Sequence, residues 1–520
     1  MTENAAAVPM DLHFAIPVIT GEIPAEQLGE LLHLLNAGSW QPAALETTNG
    51  GKREHEWLGF FLPSLRSYFA GEDEMRQAWV FERRFDSKSP SPGTYSHGLP
   101  FDLLAGGKPI PFWLERVTLV VLASGIVFLA PLARLAVSSG PAESSGTARH
   151  TLAELAAFVA ALVQVNPRRR RYLCEGHTEQ SRSFPFPAGP SLLDESSEAR
   201  SGTRETFRLG SLASWCLDER GDGSARLVTW IPQRTIPVLS FVRFMDTPPD
   251  KVPEVDFWRL YNGFGLDHRP SARDASIGTS SVMELGEDFY VGATLSGVGV
   301  MHLAKDAIKG DHSRESRVRT AYLLHFLLSL HQRVMLRRLL ARAAALPPVK
   351  DLRMASARHI RDVQLLRDDV LEFDLRHRFA VVSEGVYYER MYARLMSVLS
   401  IPQLTEELQD EVQQLARLAS DGAAALEEVE RERRAMRLNY IIAALGGPAL
   451  SLSLLGSNHA WYVNGPSRPA AWVLVLALAL LPLLIPLASG LWSSAKPPSD
   501  GLDRDRTSGS NAGVARTRPR

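Results

Sequence analysis

Apolar and polar positions change their rhythm twice along this chain. Up to about residue 316, short apolar runs alternate with polar breaks, which predicts strands mixed with a few helices. The run Val117 to Ala130 (VTLVVLASGIVFLA) is β-branched on both sides of Ser124-Gly125 and predicts a buried hairpin. Further strands are expected at Ala225 to Ile231, Thr235 to Phe244 and Phe289 to Leu303, with Gly221-Asp222-Gly223 as the turn that opens one hairpin. Helices are expected near Pro24 to Leu35 and from Thr151 to Val165, where Thr151 and Glu154 stand in capping-box register. Ser138 to Thr147 and Ala188 to Arg204 read as linkers by composition. From Arg317 onward helix dominates, and the polar residues His325, His331, Gln332, Arg333, Arg337 and Arg338 make Thr320 to Leu346 a long amphipathic helix.

The third regime is apolar. Ala470 to Trp492 has 23 residues without an ionisable side chain, roughly 34 Å as a helix, and is expected to span a membrane. Leu438 to Leu455 is a weaker candidate of 18 residues, interrupted by Gly446, Gly447 and Pro448. Arg431, Arg433, Arg434 and Arg437 before it, Arg468 alone between the two, and Lys496, Arg504 and Arg506 after them predict cytoplasmic ends and an external loop at 456–469. Upstream, Leu408, Leu415, Val429 and Met436 fall on seven-residue steps with Gly422 at the missing step, and Leu404, Leu418 and Ala425 form a partial second row, broken by Glu411 and Glu432. An amphipathic helix packed on its own domain and an interchain coil both fit this stalk. Nothing turn-like separates it from the first apolar run.

Composition narrows the classes. Two cysteines, Cys174 and Cys216, exclude a disulfide-built scaffold and favour a reducing compartment. The net charge of −1 argues against nucleic acid as a partner. That balance conceals segregation: residues 403–430 carry eight carboxylates and one Arg, whereas 431–437 carry four Arg and one Glu. No secretory leader is evident in the first 25 residues. Enzyme signatures are missing, since Gly106-Gly107-Lys108 lacks Walker A spacing and Gly297-Val298-Gly299 lacks a third glycine and reads as tight packing. Cys174 and His177 would need two more ligands to hold zinc. The run Arg168, Arg169, Arg170 and Arg171 is either a solvated helix end or an anion site.

Gly456-Ser457-Asn458, directly after the first apolar run, resembles the Gly-Met-Asn motif of the CorA family of divalent-cation transporters. The order of features is similar too: a large N-terminal α/β region, a long helix entering the first span, a short loop and an aliphatic second span. The resemblance implies an α+β cytoplasmic domain (1–316), a helical region (317–437) ending in a stalk, spans at 438–455 and 470–492, and a disordered tail (493–520), in a funnel-shaped homopentamer. It implies a multi-pass inner-membrane cation channel or transporter for Mg²⁺ or another divalent ion, without catalytic activity or resident cofactor. Gly456, Ser457 and Asn458 would form the selectivity filter, and Asn439, Gly447, Pro448 and Ser451 would line the pore. Ser457 in place of Met, and a loop without carboxylates, depart from the family pattern. Some CorA-like proteins accompany type III CRISPR systems and look like effectors opened by a nucleotide second messenger. A small anionic or nucleotide ligand is therefore the second expectation, and a membrane-anchored scaffold that conducts nothing is the third.

Overall fold

The computed structural model describes residues 10–43, 60–70, 76–85, 99–135, 150–163, 216–231, 235–247, 254–265, 282–304, 312–346 and 357–457, apart from brief intervals within them, together with short strands at 47–49, 52–54, 174–177 and 204–207. Packing divides the chain into two units, one of residues 1–346 with 365–413 and the other of 347–364 with 414–520.

In the first unit, β8 (Lys108–Leu122) and β9 (Ile126–Leu135) form the expected antiparallel hairpin, with Val121 opposite Val127. Gly125 makes the turn at φ +80°, where an added Cβ would lie 2.5 Å from the Ile23 carbonyl oxygen. The hairpin belongs to a mixed sheet of 14 strands among the described residues. Its main path runs β11 (Arg204–Phe207), β10 (Cys174–His177), β7 (Leu99–Ala105), β8, β9, β1 (Leu12–Pro17), β13 (Val238–Met245), β16 (Gly297–Ala304), β15 (Phe289–Thr294) and β14 (Val282–Gly286). The pairings on this path are antiparallel except β13 with β16, which is parallel and sets Val238 beside Gly297.

Both faces of the central strands are covered, which is why they read as continuous apolar runs. On one face, α3 (Leu152–Val163) and α5 (Glu254–Asn262) contribute Leu155, Phe158, Leu162, Phe257 and Tyr261 to a cluster with Ala15, Val242 and Met301. On the other strand face, Phe14 and its register partner Phe241 stack at 5.1 Å. Each buried aromatic of this kind stabilises by roughly 2–3 kcal/mol relative to exposure. The capping box of α3 is formed: Thr151 N–H donates to Glu154 Oε2 at 2.9 Å, and Glu154 N–H to Thr151 Oγ1 at 3.3 Å.

Two local expectations fail. Ala225 to Ile231 is not one strand, because Ser224–Leu227 turns as a helix and only Thr229–Trp230 pairs, with β2 (Ile19–Glu22). Thr320 to Leu346 is not a helix with a wet face along its length. His312–Arg317 (α6), a π-helical turn Val318–Tyr322 and α7 (Leu323–Ala344) follow without a break, and every residue from Leu323 to Gln332 is buried. The Gly221-Asp222-Gly223 turn lies outside the described residues.

After α8 (Ala357–Arg376) and α9 (Val386–Val398), one helix, α10, runs from Ile401 to Ser457 over 57 residues and passes Gly446, Gly447 and Pro448 without a break. Among the described residues no helix is long and apolar enough to cross a membrane. This overturns the transmembrane hairpin in the expected fold, and with it the channel architecture and the multi-pass inner-membrane placement. The physical reason lies in α10 itself, which is charged through Arg437 and whose apolar end is diluted by Asn439, two glycines, Pro448, Ser451 and Ser453. Ala470 to Trp492 lies outside the described residues, Val473 excepted.

Candidate functional site

Helix α9 is the element that builds a site. Its inner stripe, Tyr388, Met391, Tyr392 and Leu395, is buried at helical spacing. Tyr388 stacks on Phe60 with ring centroids 4.5 Å apart, and the Tyr392 hydroxyl donates to the Phe379 carbonyl at 2.8 Å while accepting from Gln332 Nε2 at 2.7 Å. The approach to the helix is pinned as well. Glu389 Oε2 accepts from the Val382 and Ser383 backbone N–H groups at 3.1 and 3.4 Å, and the Ser383 hydroxyl donates to the Phe60 carbonyl. A helix fixed at both its face and its entry holds its remaining side chains in register.

Those side chains are Tyr387, Arg390 and Arg394, three and four residues apart and hence on one flank. With Val282, Met283, Glu284, Leu285 and Gly286 of β14 they line an open groove of about 720 Å³. β14 is the last strand on the sheet path, paired only with β15 among the described residues, and a bulge between Glu284 and Gly286 turns it locally. Leu285 itself is buried. Tyr387 is 53% exposed, and its hydroxyl lies 3.7 Å from where a Cβ on Gly286 would be. Arg394 Nε is buried and has no hydrogen-bond partner among the described residues. The groove thus offers two guanidinium groups, one carboxylate, one aromatic face and an edge strand. Its volume falls in the range of small-ligand sites.

Two other polar clusters are structural. Arg116, Arg134 and Arg319 interlock with Glu82, Glu115 and Glu315: Arg116 reaches Glu82 at 2.9 Å and the Arg319 carbonyl at 3.0 Å, Arg134 reaches Glu115 at 2.6 Å, and Arg319 pairs with Glu315. Burial lowers Arg319 to about 10, opposed by Glu315, so it keeps its charge at neutral pH. Behind α9, His331 Nε2 lies 2.9 Å from Ser124 Oγ, its ring meets that of His377 edge-on at 5.1 Å, and Tyr68 Oη lies 3.2 Å from His377 Nδ1. His325 Nδ1–H donates to the Ala321 carbonyl at 2.6 Å, and the ring stacks on Phe61 at 4.3 Å. Burial lowers His325 to about 4, holds His331 well below its ordinary value, and with the nearby Arg376 lowers His377 to about 4.

The residues singled out in the sequence do not converge. Gly456 and Ser457 occupy the last turn of α10, whereas Asn458 lies outside the described residues. Gly447, Pro448 and Ser451 are on the same helical backbone, and Asn439 is exposed on it. Arg168, Arg169, Arg170 and Arg171 lie outside the described residues. Cys174 and His177 bound β10, and among the described residues no group of three His, Cys, Asp or Glu side chains could hold a metal. The groove was missed because its two walls are about a hundred residues apart in sequence; the one local signal was the Tyr387, Arg390, Arg394 spacing beside a buried stripe.

No protein-family model, curated protein or solved structure matches this chain.

Proposed function

We propose that this protein is a non-catalytic ligand-binding protein whose first unit takes a small anionic ligand of nucleotide type in the groove between β14 and α9. The observation that carries this reading is Arg394, a groove-lining guanidinium whose buried Nε has no hydrogen-bond partner among the described residues. Such a donor is costly to leave unmet, and an anionic oxygen is its natural complement. Arg390 adds a second guanidinium one helical turn away, as phosphate recognition commonly requires. The exposed ring of Tyr387 supplies a face on which a base can stack, a contact on the order of 1–3 kcal/mol. Glu284 can accept a hydrogen bond from a ribose hydroxyl or an exocyclic amine. Among the described lining residues the one hydroxyl is the phenol of Tyr387, and there is no thiol or imidazole; binding is what this set of groups does well.

Calorimetric titration of the full chain with ATP, a cyclic adenine dinucleotide and inorganic phosphate tests the reading. A nucleotide should bind with Arg394→Met weakening it at least tenfold, and Tyr387→Ala should weaken the nucleotide but not phosphate. Equal binding by the wild type and Arg394→Met, or no heat with any of the three at millimolar concentration, overturns it.

A further inference from the structure

The stripe of α10 that is buried in its first third is continuous with a stripe that is exposed further along. Ile401, Thr405, Leu408, Val412, Leu415, Ala419 and Gly422 are buried, at alternating steps of four and three residues. The same steps lead on through positions 426, 429, 433, 436 and 440, where Val429 is 45%, Met436 57% and Tyr440 44% exposed. A helix keeps one face apolar only where something covers it.

We propose that two copies of this chain pair antiparallel along residues 422–440 of α10. Charge decides the occupant and its direction. Residues 424–430 hold Glu427, Glu428 and Glu430 with no basic residue, a net of −3, and residues 431–437 hold four Arg and Glu432, a net of +3. A parallel, in-register pair would set acidic against acidic and basic against basic. A two-fold axis beside Arg431 instead lays the acidic segment of each copy on the basic segment of the other. The stepping of the stripe is symmetric about the same point: Gly422 comes opposite Tyr440, position 426 opposite Met436, and Val429 opposite Arg433. Small thus faces large at the ends, and the Arg433 stem covers Val429 in the middle. Within one copy, the exposed pairs Arg431–Glu427 at 3.0 Å and Arg434–Glu430 at 3.2 Å contribute little and can exchange for partners across the axis.

Sedimentation of the full chain gives the first readout, with circular dichroism to confirm that each variant is folded. The wild type should be dimeric, and its dissociation constant should rise at least tenfold from 50 mM to 500 mM salt. Glu427→Arg/Glu428→Arg/Glu430→Arg, which makes both segments basic, should be monomeric, and so should Arg431→Glu/Arg433→Glu/Arg434→Glu. Combining all six changes should restore the dimer. Direction is read by disulfide trapping, with the wild type as the control for native cysteines. Leu426→Cys mixed with Met436→Cys, which face each other on the stripe, should cross-link, whereas neither should cross-link with itself. A wild-type monomer, failure of the combined variant to dimerise, or homotypic cross-linking alone overturns the proposal.

Discussion

The ring of Tyr261 lies over Gly292, where an added Cβ would come within 2.3 Å of Tyr261 Cδ1. Gly292 is register-paired with Gly299 on β16, where a Cβ would approach the Tyr261 Cβ at 2.9 Å. Two paired glycines therefore form the trough in which α5 sits. Gly292→Ala and Gly299→Ala should each destabilise the protein by about 1–3 kcal/mol through overpacking. In a double-mutant cycle the loss at Gly292 should shrink when Tyr261 is first changed to Ala. Chemical denaturation checks both; a neutral Gly292→Ala would contradict this packing.

That trough was half legible in the sequence, and the reason generalises to the rest of the fold. Gly297-Val298-Gly299 could be read as tight packing because a glycine in a strand signals close approach, but the approaching residue, Tyr261, was not readable. The hairpin around Ser124-Gly125 and the Thr151–Glu154 capping box were legible because their partners are local in sequence. The buried face of α7 was not. His325, His331 and Gln332 are polar by composition, and two of their partners, Ser124 and Tyr392, come from distant segments. The groove failed the same way, and the apolar end of α10 invited a membrane span that no helix among the described residues is long and apolar enough to make.

Acid should destabilise the first unit before the carboxylates titrate. His325 and His377 are lowered to about 4 and His13 to about 3, in each case chiefly by burial; the charges of His150 and Arg134 also lower His13, and His331 is lowered by burial and then by the charge of His377. A histidine depressed on folding contributes stability that is fully present above its unfolded pKa of about 6.5 and is lost as pH falls toward its folded value. Between pH 7 and pH 5 each such group should remove on the order of 2 kcal/mol. Urea midpoints measured across that range should fall steeply, and His331→Gln should flatten the slope. A flat profile would show that these rings are protonated in the folded state.

Arg394 should cost the empty protein stability. Its buried Nε has no hydrogen-bond partner among the described residues, and replacement by Met removes that burden while keeping the aliphatic bulk. Arg394→Met should leave the melting temperature of the ligand-free protein unchanged or raise it by a few degrees. A drop by several degrees would mean that the side chain is already satisfied without a ligand.

Thr151→Ala should lose about 1 kcal/mol, since the Glu154 N–H of α3 is left without its cap. Thr151→Ser should retain most of the stability. Thermal melts of the two variants decide the matter, and equal losses would show that the methyl group rather than the hydroxyl matters.

The place of β1 in the sheet has a consequence for how the chain is made. It lies between β9 and β13, so its two edges wait for residues 126–135 and 238–245 respectively. Emerging from a ribosome before both partners, this strand stays unpaired on one side until Met245 has been synthesised, and β13 then waits for β16. Nearly 300 residues must be released before the middle of the sheet closes. Biogenesis, more than the finished fold, is therefore where this protein is exposed to misassembly, and a chaperone that shields the open edge of β1 would act at that stage.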